Sequence, residues 1–409
     1  MRRWRFLAAA AAVCGPAAAV ASGQTLTEEE ALNRLRAGHP QLEALRATVA
    51  ELAASVRQPT LPANPTVTFT REDAGLGSDD FLLVSQELPL RGRRRLLGVA
   101  AARAVTAAES RADDARLAFE TQLRFAFADL LWAQEREQVL EAGVSELRRL
   151  VTVLELRERE GEGSRFDRLR AEREVADAEA DREAASIERL IAQAAVVSFL
   201  ALNEPDLLSA SGQLAEAGAP LDAVETLVDR ALGRRADYRA LAASEDRWAV
   251  ERRAADRLRI PAAVVTGGLK RGGVPAARES GYVVGAALAL PLFDRGQVQA
   301  ARAEAARTRA GAERRSLRTR IEREVRAAHG AATRYRALTE RYRAESVAPA
   351  AELVTIAEAA YEEGEYGILE LLDAHRVALG ARLRLLDLAA AARRAAIELD
   401  RAVGGEAGP

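Results

Sequence analysis

Residues 81–120 read FLLVSQELPLRGRRRLLGVAAARAVTAAESRADDARLAFE, and this stretch decides the fold. Its first eight residues predict a β-strand, which ends at Pro89 because proline has no N–H to donate to a neighbouring strand. From residue 92 the sequence is rich in Ala, Leu, Glu and Arg, and it predicts one helix over residues 92–159. At ~1.5 Å per residue this helix would be a rod about 100 Å long. A rod of that length is not part of an ordinary globular core.

The same order of landmarks occurs twice along the chain, which indicates a tandem repeat. His39-Pro40 and the residues after it are echoed at Arg235, and Pro65 is echoed at Pro261, each 196 positions later. Two more pairs follow in the same order, at slightly larger offsets. These are Leu88-Pro89-Leu90 with Leu290-Pro291-Leu292, and Gly161 with Gly364.

Each repeat is predicted to contain a helix, two strands, a long helix, a tight turn and a further helix. For repeat 1 (22–203) the prediction is helix 27–61, strands 66–72 and 81–88, and helices 92–159 and 165–202. For repeat 2 (221–404) it is helix 221–258, strands 262–269 and 281–290, and helices 296–362 and 368–403. Residues 204–220 are predicted to be a linker, and residues 405–409 a tail.

The long helices carry heptad spacing. Leu140, Val144, Leu147, Val151 and Leu154 are separated by steps of 4 and 3, as are Leu369, Leu372, Arg376, Leu379 and Leu383. This spacing predicts long antiparallel coiled coils. On its own it fits any coiled-coil scaffold.

Four strands per chain cannot close a membrane barrel, since outer-membrane barrels start at about 8 strands of ~9–11 residues. The predicted strand 281–290 alternates, with Tyr282, Val284, Ala286 and Leu288 on one face. Three chains would supply twelve strands and pair every edge. The predicted fold is therefore mainly α-helical with a β-barrel portion shared by a trimer.

The N-terminus has the features of an export signal. A basic start at residues 2–5 precedes an apolar run, and Ala19-Val20-Ala21 fits a small-residue cleavage site, so residues 1–21 are predicted to be a signal peptide. A short membrane anchor and acylation at Cys14 remain alternatives at this point. Cleavage after Ala21 would leave a chain without cysteine, because Cys14 is the only one.

Composition argues against several other classes of function. The formal net charge is −2, which implies no general attraction to nucleic acid. The three histidines, at positions 39, 329 and 375, lie far apart, so no metal site is predicted. The glycine-rich residues 267–273 lack the spacing of a phosphate-binding loop. No set of acid, base and nucleophile can be assembled, and we predict neither an enzyme nor a cofactor.

The repeat landmarks resemble those of the TolC-type outer-membrane efflux proteins over roughly residues 25–404. The matching stretches are residues 26–32, 39–40, 61–65, 88–92, 290–296 and 361–374. Residues 85–92 are also similar to the cation-efflux (cobalt-zinc-cadmium type) branch of that family. The resemblance implies an exit duct in the outer membrane of a Gram-negative bacterium that extends into the periplasm. It implies a homotrimer that docks with a periplasmic adaptor (membrane fusion) protein and an inner-membrane pump such as an RND transporter, with metal cations as one candidate cargo.

The resemblance also assigns roles at the helical turns. Carboxylates matching Glu370 and Asp373 line a closed periplasmic mouth in the family, and a link between Tyr361 and Asp167 would latch it. The turns themselves, at Gly161, Gly163, Gly364 and Tyr366, would receive the adaptor. The alternative for the two carboxylates is a solvated helix face. The alternative for the whole chain is a periplasmic adaptor or a structural coiled-coil protein.

Overall fold

The computed structural model describes residues 24–75, 77–89, 92–200, 208–214, 221–274 and 277–405. The predicted signal peptide, with Cys14, and the tail beyond residue 405 lie outside these ranges. Within them, helices and strands follow one another in the same order in both halves of the chain.

The elements of the two halves correspond, except that two helices of the second half, α7 and α8, take the place of α3. The first half consists of β1 (Gln24–Thr27), α1 (Glu28–Gly38), α2 (Pro40–Ser55), β2 (Thr66–Asp73), β3 (Ser78–Leu88), α3 (Arg93–Glu160) and α4 (Arg165–Leu200). The second consists of β4 (Leu208–Ser211), α5 (Val224–Arg234), α6 (Ala236–Asp256), β5 (Ala262–Val274), β6 (Ala277–Ala289), α7 (Gln297–Tyr342), α8 (Ala348–Glu362) and α9 (Ile368–Val403).

The first helix of each repeat is broken, contrary to the predictions of single helices over residues 27–61 and 221–258. His39 is extended (φ −77°, ψ 127°) because the following Pro40 disfavours helical geometry in the residue before it. The His39 Nδ1 then caps α2 by accepting from the Gln41 N–H at 3.2 Å. Arg235 is extended at the equivalent position (φ −59°, ψ 124°), where its buried guanidinium binds Asp237 and Glu324.

The predicted helix 296–362 is also interrupted. Residues Arg343–Val347 form a π-helical turn between α7 and α8. Pro349 lies in the first turn of α8, where proline has no N–H to donate to the preceding helical turn. The π-helical turn just before it accommodates the proline, so that α7 and α8 follow one another without a loop.

The predicted linker 204–220 contains a strand that the sequence did not reveal. Residues Leu208–Ser211 form β4, which pairs in parallel with β1. A parallel pair of this length has no alternating pattern long enough to detect, and its two strands are separated by the whole first repeat. The β1–β4 pair therefore connects the start of the first repeat to the start of the second.

The strands of the larger sheet are longer than predicted. β5 and β6 run over residues 262–274 and 277–289, and so extend into residues 270–280, which separate the two predicted strands. Glycine is required at residue 268, because a Cβ there would lie 2.1 Å from the Leu82 carbonyl oxygen of the neighbouring strand. This glycine therefore marks a close approach of the two backbones within the sheet.

This sheet has the order β2-β3-β5-β6, is antiparallel throughout, and separates its side chains into two distinct faces. We call one the apolar face. It carries Val67, Phe69, Leu82, Val84, Val265, Leu269, Tyr282, Val284 and Leu288, each between 41% and 85% exposed. We call the other the polar face. It carries the hydroxyl residues Thr66, Thr68, Thr70, Ser85 and Thr266 along with Phe81 and Leu83, and Ser85 Oγ lies 2.9 Å from Thr266 Oγ1.

The helices pack through small side chains. α3 contacts α4, α6 and α9, and many of the buried side chains at these contacts are alanines and leucines. Small residues allow close approach between long parallel rods. The predicted seam of α3 is buried at Leu140, Val144, Leu147 and Leu154, whereas the α9 seam begins at an exposed Leu369 and passes an exposed Arg376. No helix among the described residues is both long and apolar enough to cross a membrane.

Candidate functional site

The two turns that join the long helices have the same hydrogen-bonded geometry, 203 positions apart. In the first, the N–H groups of Glu162 and Gly163 both donate to the Arg157 carbonyl, at 2.9 and 3.0 Å. In the second, the N–H groups of Glu365 and Tyr366 both donate to the Ala360 carbonyl, at 2.9 and 3.1 Å. These bonds satisfy carbonyls that the ends of α3 and α8 would otherwise leave unpaired.

Glycines make these turns possible. Gly161 and Gly364 follow the helix ends with φ of 80° and 77°, a left-handed conformation that other residues adopt at a cost. Gly163 is required for a different reason, since a Cβ there would lie 2.8 Å from the Glu158 backbone nitrogen. The equivalent Tyr366 has room for a large side chain and is 45% exposed.

Tyr361, at the end of α8, lies where the two hairpins meet. It lines a cavity of about 410 Å³ together with Arg157, Asp167 and Glu370, so that α3, α4, α8 and α9 all contribute. The Arg157 guanidinium carbon lies 5.3 Å from the centroid of the Tyr361 ring. Burial and the Asp167 carboxylate raise the pKa of the Tyr361 hydroxyl, and a hydrogen bond with Arg157 opposes the rise. The hydroxyl is therefore protonated at neutral pH and available to donate.

The structure thus brings together the two predicted latch residues and adds a third. Sequence reasoning missed Arg157, which provides both a ring contact and a hydrogen bond for Tyr361. The repeat could not reveal it, because the equivalent residue in the second half is Ala360. Arg168 reinforces the first turn by binding Glu158 of α3 at 2.6 Å.

The predicted gate carboxylates lie on the exposed side of α9. Glu370 and Asp373 flank the buried pair Leu371 and Leu372, which packs into a core cluster between the hairpins. This arrangement fixes the helix rotation and turns both carboxylates away from the core. Arg376 lies 3.7 Å from Asp373 and 2.9 Å from Glu174 of α4. Asp373 therefore has a partly compensating positive charge, whereas Glu370 has none among the ion pairs of the described residues.

A charged network lies between α1, the middle part of α3 and the C-terminal end of α9. Glu120 is only 5% exposed and accepts from Arg36 at 2.9 Å and from Arg116 at 3.0 Å. Burial alone would raise the pKa of the Glu120 carboxyl, but the two guanidinium groups lower it overall. Nearby, Arg124 bridges Glu28 at 2.6 Å and Asp400 at 2.8 Å. The network joins residues from both repeats around a cavity of about 810 Å³.

Within the ranges that the structure describes, no group of three or more His, Cys, Asp or Glu side chains is arranged to hold a metal ion. His375 Nε2 lies 3.5 Å from Glu358 Oε1, and His39 packs against Phe119 with ring centroids 4.6 Å apart. These two histidines therefore have packing partners in the helical region.

The fold is similar to that of several solved membrane proteins. A membrane protein from Pseudomonas aeruginosa superposes with a TM-score of 0.75 at 21% identity, over 92% of each chain. The outer membrane protein VceC from Vibrio cholerae gives 0.74 at 20% identity, over 93% of this chain and 96% of that one. The open state of the Neisseria gonorrhoeae MtrE outer membrane channel gives 0.74 at 18% identity, over 93% and 89%.

Comparison of sequences agrees with this likeness. Residues 227–405 match the family model described as outer membrane efflux protein. Among curated proteins, none matches the sequence. The chain therefore shares the fold of these solved membrane proteins, and its residues 227–405 resemble the outer membrane efflux protein family.

Proposed function

We propose that this chain forms the outer-membrane exit duct of a tripartite efflux system, a passive conduit for solutes expelled by an inner-membrane pump. The observation that carries the proposal is the two-faced sheet. Its apolar face exposes nine large hydrophobic side chains, an arrangement that water disfavours and the hydrocarbon of a bilayer favours. Its polar face is suited to line a water-filled lumen.

The proposed assembly is a homotrimer. β2 and β6 are the outer strands of the four-stranded sheet, and each leaves an edge unpaired within the chain. Unpaired backbone groups are costly in hydrocarbon, so a membrane sheet has to close on itself. Four strands are too few for this, whereas three copies provide twelve.

The long helices extend from this barrel into the periplasm. α3 contains 68 residues, which corresponds to a rod about 100 Å long. The turns at Gly161 and Gly364 lie at the end of the rods remote from the sheet and are the sites proposed for docking of the periplasmic adaptor and, through it, the pump. No part of this proposal requires a catalytic residue or a cofactor.

The mouth at this end is proposed to be gated. Glu370 and Asp373 of three chains would form two rings of like charge around the threefold axis, which favours cations over anions. This supports cationic cargo, including metal ions. Tyr361, held between Arg157 and Asp167, is proposed to latch the two hairpins together in the resting state.

Extraction and mass measurement test the assembly. The protein should be recovered from the outer-membrane fraction only with detergent, and light scattering with the detergent contribution subtracted should give the mass of three chains. Recovery of a monodisperse monomer from a detergent-free periplasmic extract would instead support the structural coiled-coil alternative.

A further inference from the structure

The end of the sheet remote from the helices carries different charges on its two faces. Side chains that are opposite each other in neighbouring strands share a face, so the register assigns each one. Three arginines and two aspartates lie on the same face as the apolar side chains: Arg71, Asp73, Asp80, Arg271 and Arg278. Three carboxylates and one lysine lie on the polar face: Glu72, Asp79, Lys270 and Glu279. The apolar face therefore ends in a net positive border.

Two of these arginines are available to bind a ligand. Arg71 is paired with Asp80 at 3.2 Å. Arg271 and Arg278 are exposed, and neither takes part in an ion pair with another described residue. Arg271 is opposite Ser280, two residues from Arg278 along β6, so the two arginines are diagonal neighbours about 7–8 Å apart at their Cα atoms.

The position of the pair relative to the apolar face indicates what the ligand is. Leu269 precedes Arg271 by two residues on the same face and is opposite Tyr282, which is 85% exposed. On this face Arg271 therefore lies one row beyond the last apolar row, and Arg278 lies two rows beyond it. An aromatic side chain just below a basic group is typical of the boundary between hydrocarbon and headgroups.

We propose that Arg271 and Arg278 together bind the phosphate groups of a phosphorylated lipid in the outer leaflet. This inference rests on the proposed function, because it takes the apolar face to be in contact with lipid. Arginine binds phosphate through two parallel N–H donors, and two arginines at this spacing can engage one diphosphorylated headgroup. The lipid chains would then lie along Leu269 and Tyr282.

The probe for the test is purified lipid A, which carries two phosphates, added to the detergent-solubilised trimer. Binding is measured by native mass spectrometry and by anisotropy of a fluorescent lipid A analogue. The double variant Arg271→Ser/Arg278→Ser should bind lipid A about tenfold or more weakly than the wild type, because it removes two charge-assisted contacts.

The matched control is Lys270→Ser. Lys270 is adjacent in sequence and at the same depth, but it is on the polar face, where it binds Asp79 at 2.6 Å. Its replacement should leave lipid A binding unchanged. Equal binding by wild type and double variant, or an equal loss in the control, would overturn the proposal. Displacement of lipid A by millimolar inorganic phosphate would also overturn it, since the site would then recognise a soluble anion.

These results can be separated from a failure of the proposed function. If the proposed function is wrong, the wild type forms no trimer and does not enter phosphatidylcholine vesicles. If only this inference is wrong, the trimer inserts normally and the double variant binds lipid A as the wild type does.

Discussion

Tyr361 connects the two hairpins through a single side chain. Its ring packs against Arg157 of α3, and its hydroxyl lies in the field of Asp167 of α4, while its own backbone belongs to α8. This position is the physical basis for the proposal that Tyr361 resists separation of the two hairpins.

Replacement of Tyr361 by Phe should loosen the resting mouth. The change removes the hydroxyl and keeps the ring, so that the loss of one hydrogen bond should shift the closed-to-open equilibrium by roughly two- to tenfold per chain. Planar-bilayer recordings should show higher resting conductance with unchanged charge selectivity. Tyr335→Phe, the same chemical change on α7, is the control. Equal resting conductance in Tyr361→Phe and wild type would argue against a latch.

The gate carboxylates should control selectivity and leave assembly intact. Glu370→Ala/Asp373→Ala removes six charges per trimer, and we expect the cation-to-anion permeability ratio and the block by trivalent cations to fall, on the order of two- to tenfold. Stability should change little, since both side chains are exposed. Reversal potentials in a salt gradient measure the effect.

The matched control for this pair is Glu313→Ala/Glu345→Ala, which removes the same charge from exposed positions on α7 and the π-helical turn. If both double variants keep the selectivity of the wild type, Glu370 and Asp373 are a solvated helix face.

Glu120 should stabilise the helical region in a pH-dependent way. Its pKa is lowered in the folded state by Arg36 and Arg116 despite burial, so its contribution is present above the ordinary glutamate value of about 4.3 and is lost as the pH falls through the lower folded value. Glu120→Gln should cost about 1–3 kcal/mol at pH 7. Thermal melting followed by helical circular dichroism should show the two proteins converging once the pH falls below the lowered pKa of Glu120. Glu109→Gln, exposed on the same helix, should melt like the wild type at neutral and at acid pH.

At the level of elements, the two turns combine a shared backbone with different surfaces. The first ends in glycine at position 163, where no side chain fits, and the second ends in an exposed tyrosine at position 366. Gly163 is therefore a poor attachment site for a bulky crosslinker, even though it lies in the turn proposed for docking. The exposed Glu162 is the better choice for the same turn.

Photo-crosslinkers at Glu162 and Tyr366 should capture the periplasmic adaptor in cells that carry the complete efflux system. The expected product is a covalent adduct at both turns, identified by mass spectrometry. A probe at Ala74, in the β2–β3 loop at the opposite end, serves as the control. Capture from Ala74 with none from the turns would place the adaptor at the other end of the molecule.

Much of the element order could be predicted from the sequence, because prolines and glycines mark the ends of strands and helices at repeated intervals. The breaks inside the helices could not be predicted in this way. At Arg235 the break depends on a buried guanidinium that binds Glu324 of a distant helix, which is a tertiary effect. At residues 343–347 a π turn accommodates Pro349, and helical periodicity changes too little there to be noticed.

Only part of the candidate site could be predicted from the sequence, because the rest depends on tertiary contacts. The spacing of Glu370 and Asp373 places them on one helix face, and α9 has that geometry. Their actual charge environment depends on Arg376 and Glu174, which are contributed by two helices about 200 residues apart in sequence. Arg157 likewise reaches Tyr361 only because the two hairpins pack side by side.

For the whole molecule, the sheet provides the strongest argument. Alternation in one strand, at Tyr282, Val284, Ala286 and Leu288, predicted an apolar face, and the register extends that face across all four strands. A sheet with one exposed apolar face and two open edges is not stable alone in water. The proposed trimer would resolve both problems at once, with lipid outside and a closed ring of strands.

Edge-to-edge crosslinking tests this central claim most directly. Four double variants are made in a Cys14→Ser background. Each combines a cysteine at Thr68 on β2 with a cysteine at Gly281, Val283, Gly285 or Ala287 on β6. The variants are then treated with a short bis-maleimide. The account predicts that at least one double variant gives covalent trimers and no larger species, while each single-cysteine variant gives monomers. A ladder of ever larger products would indicate an open polymer, and monomers in all four double variants would contradict closure of the barrel by three chains.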